Sequence, residues 1–204
     1  MKIAIISASV RTGRNSHRVA LFFKNYIETN NLAAVDLLDL NEYKFPIFNE
    51  RFRNMKDPTA QMLEFADKIT KANGVIIVTP EYNGGYPASL KNVIDLLYAE
   101  WRRKPIALAT VSNGQFGGAQ VTTSLVFILW KIGAWVVPAK YLAPKVQTSY
   151  GEDGIPTDRQ ATEKTAKSFV DELLWCIEAN TRMEETNTIK NTIYVSDRNY
   201  SPGF

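Results

Sequence analysis

The sequence predicts an α/β chain: one five-stranded parallel sheet with helices on both faces. Three observations carry this. Short apolar runs without polar alternation, Ile3-Ala4-Ile5-Ile6, Val75-Ile76-Ile77-Val78, Ile106-Ala107-Leu108-Ala109 and Ala134-Trp135-Val136-Val137, have the pattern of strands buried on both faces. Segments with helical spacing alternate with them, which is the signature of βαβ units. The loops after strands one, three and four are built from Ser, Asn, Gly and Arg, and strand carboxyl ends are where open α/β sheets place ligands.

Taken in order, the first strand leads into Ser7-Ala8-Ser9-Val10-Arg11-Thr12-Gly13-Arg14-Asn15-Ser16-His17. Val19, Ala20, Phe22, Phe23, Tyr26 and Ile27 then recur at helical intervals. A second strand spans residues 33–40, with Asp36 alternating among apolar neighbours and carrying no ribose role. Residues 41–58 are irregular but hold Tyr43, Phe45, Pro46, Phe48 and Phe52, which suggests an ordered loop. A helix follows over 59–72. Residues 74–101 then read as strand, exposed turn and helix: Pro80 ends the third strand because it has no N–H to donate, and Leu90, Val93, Ile94, Leu97 and Tyr98 mark the helix. The fourth strand, 105–110, opens into a second glycine-rich turn. Residues 124–133 form a buried helix ending near Gly133. A fifth strand over 134–137, a long loop over 141–156 and a last helix over 157–180 complete the pattern.

Length and composition set bounds on function. The 204 residues suit a single domain with a sizeable core. With 45% hydrophobic and 22% charged residues, the chain has the mix of a globular protein. A net charge of +3, with scattered basic residues, argues against nucleic acid as partner. One Cys and one His make a conventional zinc site improbable, and no metal is expected. Cys176 sits in an apolar helical run and reads as a small buried hydrophobe, and a lone cysteine fits a reducing compartment. The apolar stretch over 124–139 is shorter than the roughly 20 residues that a bilayer span needs. Ser7, Ser9 and Arg11 cut short the apolar run at the amino end, so a cytoplasmic protein without a membrane partner is expected.

The loops point to a phosphate-bearing ligand. Ser9, Arg11, Arg14, Asn15 and Ser16 stand just before a helix start, where unpaired N–H groups and a partial positive charge favour an anion. Arginine adds a fork of donors matched to phosphate oxygens. The alternative is a solvated turn with Asn15 or Ser16 as N-cap. His17 lies one residue deeper and reads as a surface helix residue, not a catalyst. No Gly-x-Gly-x-x-Gly follows the first strand, so the dinucleotide fingerprint is absent and a single terminal phosphate fits better.

The string Pro80-Glu81-Tyr82-Asn83, followed by Pro87, Leu90-Lys91-Asn92 and Asp95, resembles the flavin loop of the NADPH-dependent FMN reductase family. The first loop resembles that family through Ser9 and Arg11, with Arg14 where a Ser is usual and Ser16 where an Asn is usual. The turn Ser112-Asn113-Gly114-Gln115-Phe116-Gly117-Gly118 is similar to the family's third flavin loop. The resemblance covers residues 1–180 and implies a flavodoxin-like three-layer sandwich with strand order 2-1-3-4-5, whose switch point lies between strands one and three. It implies FMN as cofactor and NADPH or NADH as electron donor. The expected cofactor-binding residues are Ser9, Arg11, Arg14, Asn15, Ser16, Pro80, Glu81, Tyr82, Asn83, Gly84, Ser112, Asn113, Gly114, Gly117 and Gly118. No catalytic side chain is assigned, because the flavin carries the redox chemistry and the protein binds and tunes it.

The activity so implied is transfer of two electrons from NAD(P)H through FMN to a quinone, azo compound, flavin or similar small acceptor, by a ping-pong mechanism. A flavodoxin-type electron carrier and an FMN-binding module without turnover stand as alternatives. Carriers of that kind are usually strongly acidic, unlike this chain. The family resemblance also implies a homodimer or homotetramer pairing through the helix over 87–98, with Trp101-Arg102-Arg103 at the interface. Light scattering that gave a monomer at micromolar concentration would reject it. Residues 181–204 are polar and read as a C-terminal tail or partner-contacting arm, with only 189–195 strand-like.

Overall fold

A computed structural model describes residues 1–186. Its sheet has five strands: β1 (Lys2–Ser7), β2 (Ala34–Asp39), β3 (Gly74–Pro80), β4 (Pro105–Val111) and β5 (Trp135–Ala143). All pair in parallel, in the order β2-β1-β3-β4-β5. The helices are α1 (Ser16–Thr29), α2 (Leu40–Tyr43), α3 (Ala60–Lys71), α4 (Ala88–Leu96), α5 (Val121–Lys131), α6 (Val146–Ser149) and α7 (Arg159–Glu185). Every residue of β3 and β4 is buried, as an unalternating apolar run demands of central strands.

Side-chain alternation along the strands builds two cores. Ile3, Ile5, Ile76 and Val78 face α1 and α7, where they meet Phe23, Phe169 and Leu173. Ala4, Ile6, Val75 and Ile77 face the other way, against Phe65, Ile69, Leu90 and Ile94 of α3 and α4 and Leu125 of α5. Each fully buried Ile or Leu stabilises the fold by about 1.5–3 kcal/mol. Fixed in this way, the sheet presents the carboxyl ends of β1, β3 and β4 side by side.

Several elements differ from the sequence reading. β5 extends to Ala143 rather than stopping at Val137. Ile106 pairs with Val136 while Leu108 pairs with Lys140, so an irregularity takes up Pro138 before pairing resumes. β5 lies at the sheet edge, where proline is tolerated at a bulge. Part of the expected 141–156 loop is therefore strand, and part is α6. The last helix starts at Arg159, with Asp158 accepting a 3.0 Å bond from the N–H of Ala161, and it continues past residue 180 to Glu185. Trp101, expected near an interface, is fully buried, and its Nε1–H donates to the carbonyl of Ile94 at 3.1 Å. The strand-like segment over 189–195 lies outside the described residues.

Candidate functional site: a cleft at the switch point

The switch between β1 and β3 opens into a cleft of about 240 Å³. Among the expected residues, Ser9, Arg11, Arg14, Asn15 and Ser16 line it from the β1 loop, Pro80, Glu81 and Tyr82 from the β3 loop, and Ser112 and Asn113 from the β4 loop. Asn83, Gly84, Gly114, Gly117 and Gly118 do not line it. Gly13, Val111 and Val146 complete the wall. Val146 was not legible because α6 was read as loop.

The wall at α1 is an open helix start. Asn15 occupies the N-cap without a side-chain hydrogen bond, and no acidic residue stands in the first turn. By contrast, Thr59 caps α3 at 3.2 Å and Asp158 caps α7. The α1 terminus therefore keeps its unpaired donors and partial positive charge turned to the cleft. Ser16 is only 4% exposed, yet its Oγ has no hydrogen-bond partner. A buried hydroxyl left so is unfavourable unless something completes it. Arg11 is exposed at the rim, and no acidic side chain among the described residues pairs with it. An orphaned hydroxyl, an open helix start and an unneutralised guanidinium belong to residues that line the same cleft, a set of donors that suits an anion.

The β3 loop is fixed by its own turn. Tyr82 N–H donates to the Gly85 carbonyl at 2.8 Å and Gly85 N–H to the Tyr82 carbonyl at 3.0 Å. The central residues Asn83 and Gly84 both have positive φ, 53° and 78°, as a two-residue primed hairpin turn demands. The Tyr82 hydroxyl and Ser9 Oγ lie 2.7 Å apart, tying this loop to the first. The Glu81 carboxylate accepts from the N–H groups of Gln120 and Val121 at 3.0 and 3.3 Å and so caps α5.

Two expected glycines serve the protein's own packing. A Cβ on Gly117 would fall 2.9 Å from Leu142 Cβ, and one on Gly118 would fall 3.1 Å from the Val111 backbone. Their close approach is to β4 and β5. His17 also departs from the surface role expected of it. Its Nδ1 is 3.0 Å from Ser7 Oγ and 3.5 Å from Asp39. Burial lowers its pKa, against the raising influence of Asp39, with Arg14 adding to the lowering.

The fold is flavodoxin-like, and its cleft lies at the switch point of the sheet. The profile of the NADPH-dependent FMN reductases matches residues 1–148, and the chain belongs to that family. It is an oxidoreductase that uses FMN and NAD(P)H. Among curated proteins it is 32% identical over 142 residues to an NAD(P)H-dependent FMN reductase of Saccharomyces cerevisiae, covering 63% of this chain and 73% of the yeast protein. It is 29% identical over 188 residues to a quinone reductase of Pseudomonas putida, covering 87% of this chain and 95% of that one. The solved structure of FerB, a flavoenzyme NAD(P)H:(acceptor) oxidoreductase from Paracoccus denitrificans, superposes with a TM-score of 0.72 at 25% identity, over 88% of this chain and 98% of FerB. An archaeal flavodoxin shares the fold, with a TM-score of 0.53 at 14% identity over 85% of this chain and 99% of that one. No helix among the described residues is long and apolar enough to cross a membrane.

Proposed function

We propose that the chain passes two electrons from NAD(P)H to a quinone, azo compound, flavin or similar small acceptor, with FMN seated in the switch-point cleft. The observation that carries this reading is the unpartnered, buried Ser16 Oγ at the uncapped start of α1, beside Arg11. When bound, FMN supplies the redox chemistry, taking a hydride from the nicotinamide and passing the electron pair on.

The chain's own residues would hold and orient it. Arg11, Ser16 and the N–H groups at the start of α1 take the phosphate. Tyr82 and Ser9, joined through their hydroxyls, keep the first and second loops in register. Backbone N–H groups of Asn83, Gly84, Asn113 and Gly114, at and just beyond the cleft wall, are the donors proposed for the polar edge of the ring, where fixed dipoles stabilise developing negative charge; that of Ser112 is already given to the Ala143 carbonyl at 3.1 Å. No side chain is asked to move a proton.

The names of the relatives, quinone reductase and FMN-dependent NADPH-azoreductase among them, support small flat acceptors. Donor and acceptor are proposed to use one site in turn, in a homodimer or homotetramer whose contact includes α4. Steady-state rates at several NADPH concentrations with a varied benzoquinone test the order of events. Parallel double-reciprocal lines are expected; lines that intersect would require both substrates to bind together.

A further inference from the structure

We infer that Asp39, at the carboxyl end of β2, is a positioning residue that gives the cleft its preference for a phosphorylated flavin. The inference rests on the FMN reading above. Asp39 is 3% exposed, outside the cleft wall. It accepts the N–H of Asn41 at 3.0 Å, and its two carboxylate oxygens receive Nη1 and Nη2 of Arg14. The same Nη1 donates to the Ser9 carbonyl at 2.8 Å. Ser9 Oγ in turn accepts from the Arg11 N–H at 3.3 Å and meets the Tyr82 hydroxyl at 2.7 Å.

A single unbroken set of contacts thus runs from β2 through Arg14 to Ser9, and from Ser9 to both loops of the cleft. Its chemistry assigns different tasks to the two arginines. The bidentate pair neutralises Arg14 and points its fork at protein oxygens. Arg11 is left as the uncompensated cation at the rim. Burial pulls the Asp39 pKa upward, but the hydrogen bonds from Arg14 and Asn41 outweigh it and hold the carboxyl below its usual range, so the clamp is charged at neutral pH. With the clamp removed, the Ser9 carbonyl loses its charged donor. The segment from Ser9 to Asn15, which turns at Gly13 with φ 69°, loses the tie that holds it to the end of β2.

The opposite outcome is chemically reasonable: a released Arg14 would swing to the phosphate and tighten binding. The two are separated by measuring Kd for FMN and for riboflavin, which lacks the phosphate. Wild type, Asp39→Asn, Arg14→Lys and the double variant are titrated at about pH 8, above the usual His range, where His17 is neutral. Arg14→Lys keeps the charge and loses the fork, so it decides the matter even if Asp39→Asn fails to fold.

The inference expects each single variant to weaken FMN by about tenfold or more, the loss of one charge-assisted contact, with riboflavin within about twofold. It expects the double variant to be no worse than the singles, because they break one clamp. Unchanged FMN affinity, tighter FMN in Asp39→Asn, or equal loss of FMN and riboflavin would overturn it. Wild-type protein that binds FMN no better than riboflavin would overturn the site reading first, before any substitution is made.

Discussion

Arg11→Ala is expected to raise the Kd for FMN at least tenfold while leaving riboflavin affinity nearly unchanged. The side chain stands at the cleft rim with no acidic partner among the described residues, so its charge is available to an incoming dianion. A hydrogen bond to a charged group contributes about 1.5–3 kcal/mol, which is roughly 10- to 150-fold in affinity. Arg11 is exposed to solvent, and added salt should therefore narrow the difference between variant and wild type. Fluorescence titration with the two flavins, at low and high salt, reads both effects. Equal FMN affinity in variant and wild type would transfer the phosphate to the α1 donors and Ser16 alone.

Gly154→Ala is expected to destabilise the protein by about 3 kcal/mol or more, although residue 154 lies outside the cleft wall. Gly154 has φ 82°, a left-handed conformation that resists side chains. A Cβ there would lie 2.6 Å from the Phe22 nitrogen and 2.8 Å from the Arg18 carbonyl, both backbone atoms of α1. Neither can yield as a side-chain tip would. The turn is pinned further by Gly151 N–H to the Ile155 carbonyl at 2.8 Å, and by Arg18 Nη1 to the Tyr150 carbonyl at 2.8 Å. The substitution must move the turn or move α1, whose start forms the phosphate wall. Urea unfolding followed by circular dichroism measures the loss, and a change below about 1 kcal/mol would mean that the turn detaches without strain.

The contrast between these two residues explains how much the sequence disclosed. The buried strands are continuous apolar runs, and the loops at their carboxyl ends carry Ser9, Arg11, Tyr82 and Ser112 in order, so a parallel sheet with ligand-type loops follows from local pattern, while the strand order and switch point rest on the family resemblance. Contacts between distant segments leave no such mark. Glu81 caps a helix that begins at Val121, and Asp39 clamps Arg14 from the next strand. Nothing in either local string announces the partner. Gly154 looks like any turn glycine until α1 is seen against it. The family resemblance places Trp101 at an interface, but its indole has both apolar surroundings and a carbonyl acceptor inside the α4 layer. The fifth strand continues past residue 137 through an irregularity at Pro138 that an edge strand tolerates, and an edge position cannot be known before the sheet order is known.

The proposed turnover requires FMN and a nicotinamide to meet in the switch-point cleft. Its most direct test is an anaerobic titration of the FMN-loaded protein with NADPH, and then with NADH, followed by the flavin absorbance near its visible maximum. The expected result is complete bleaching by about one equivalent of at least one nicotinamide, the two-electron stoichiometry of hydride transfer. If neither nicotinamide bleaches the flavin while a chemical one-electron reductant does, the proposed turnover is contradicted and the chain acts as an electron carrier.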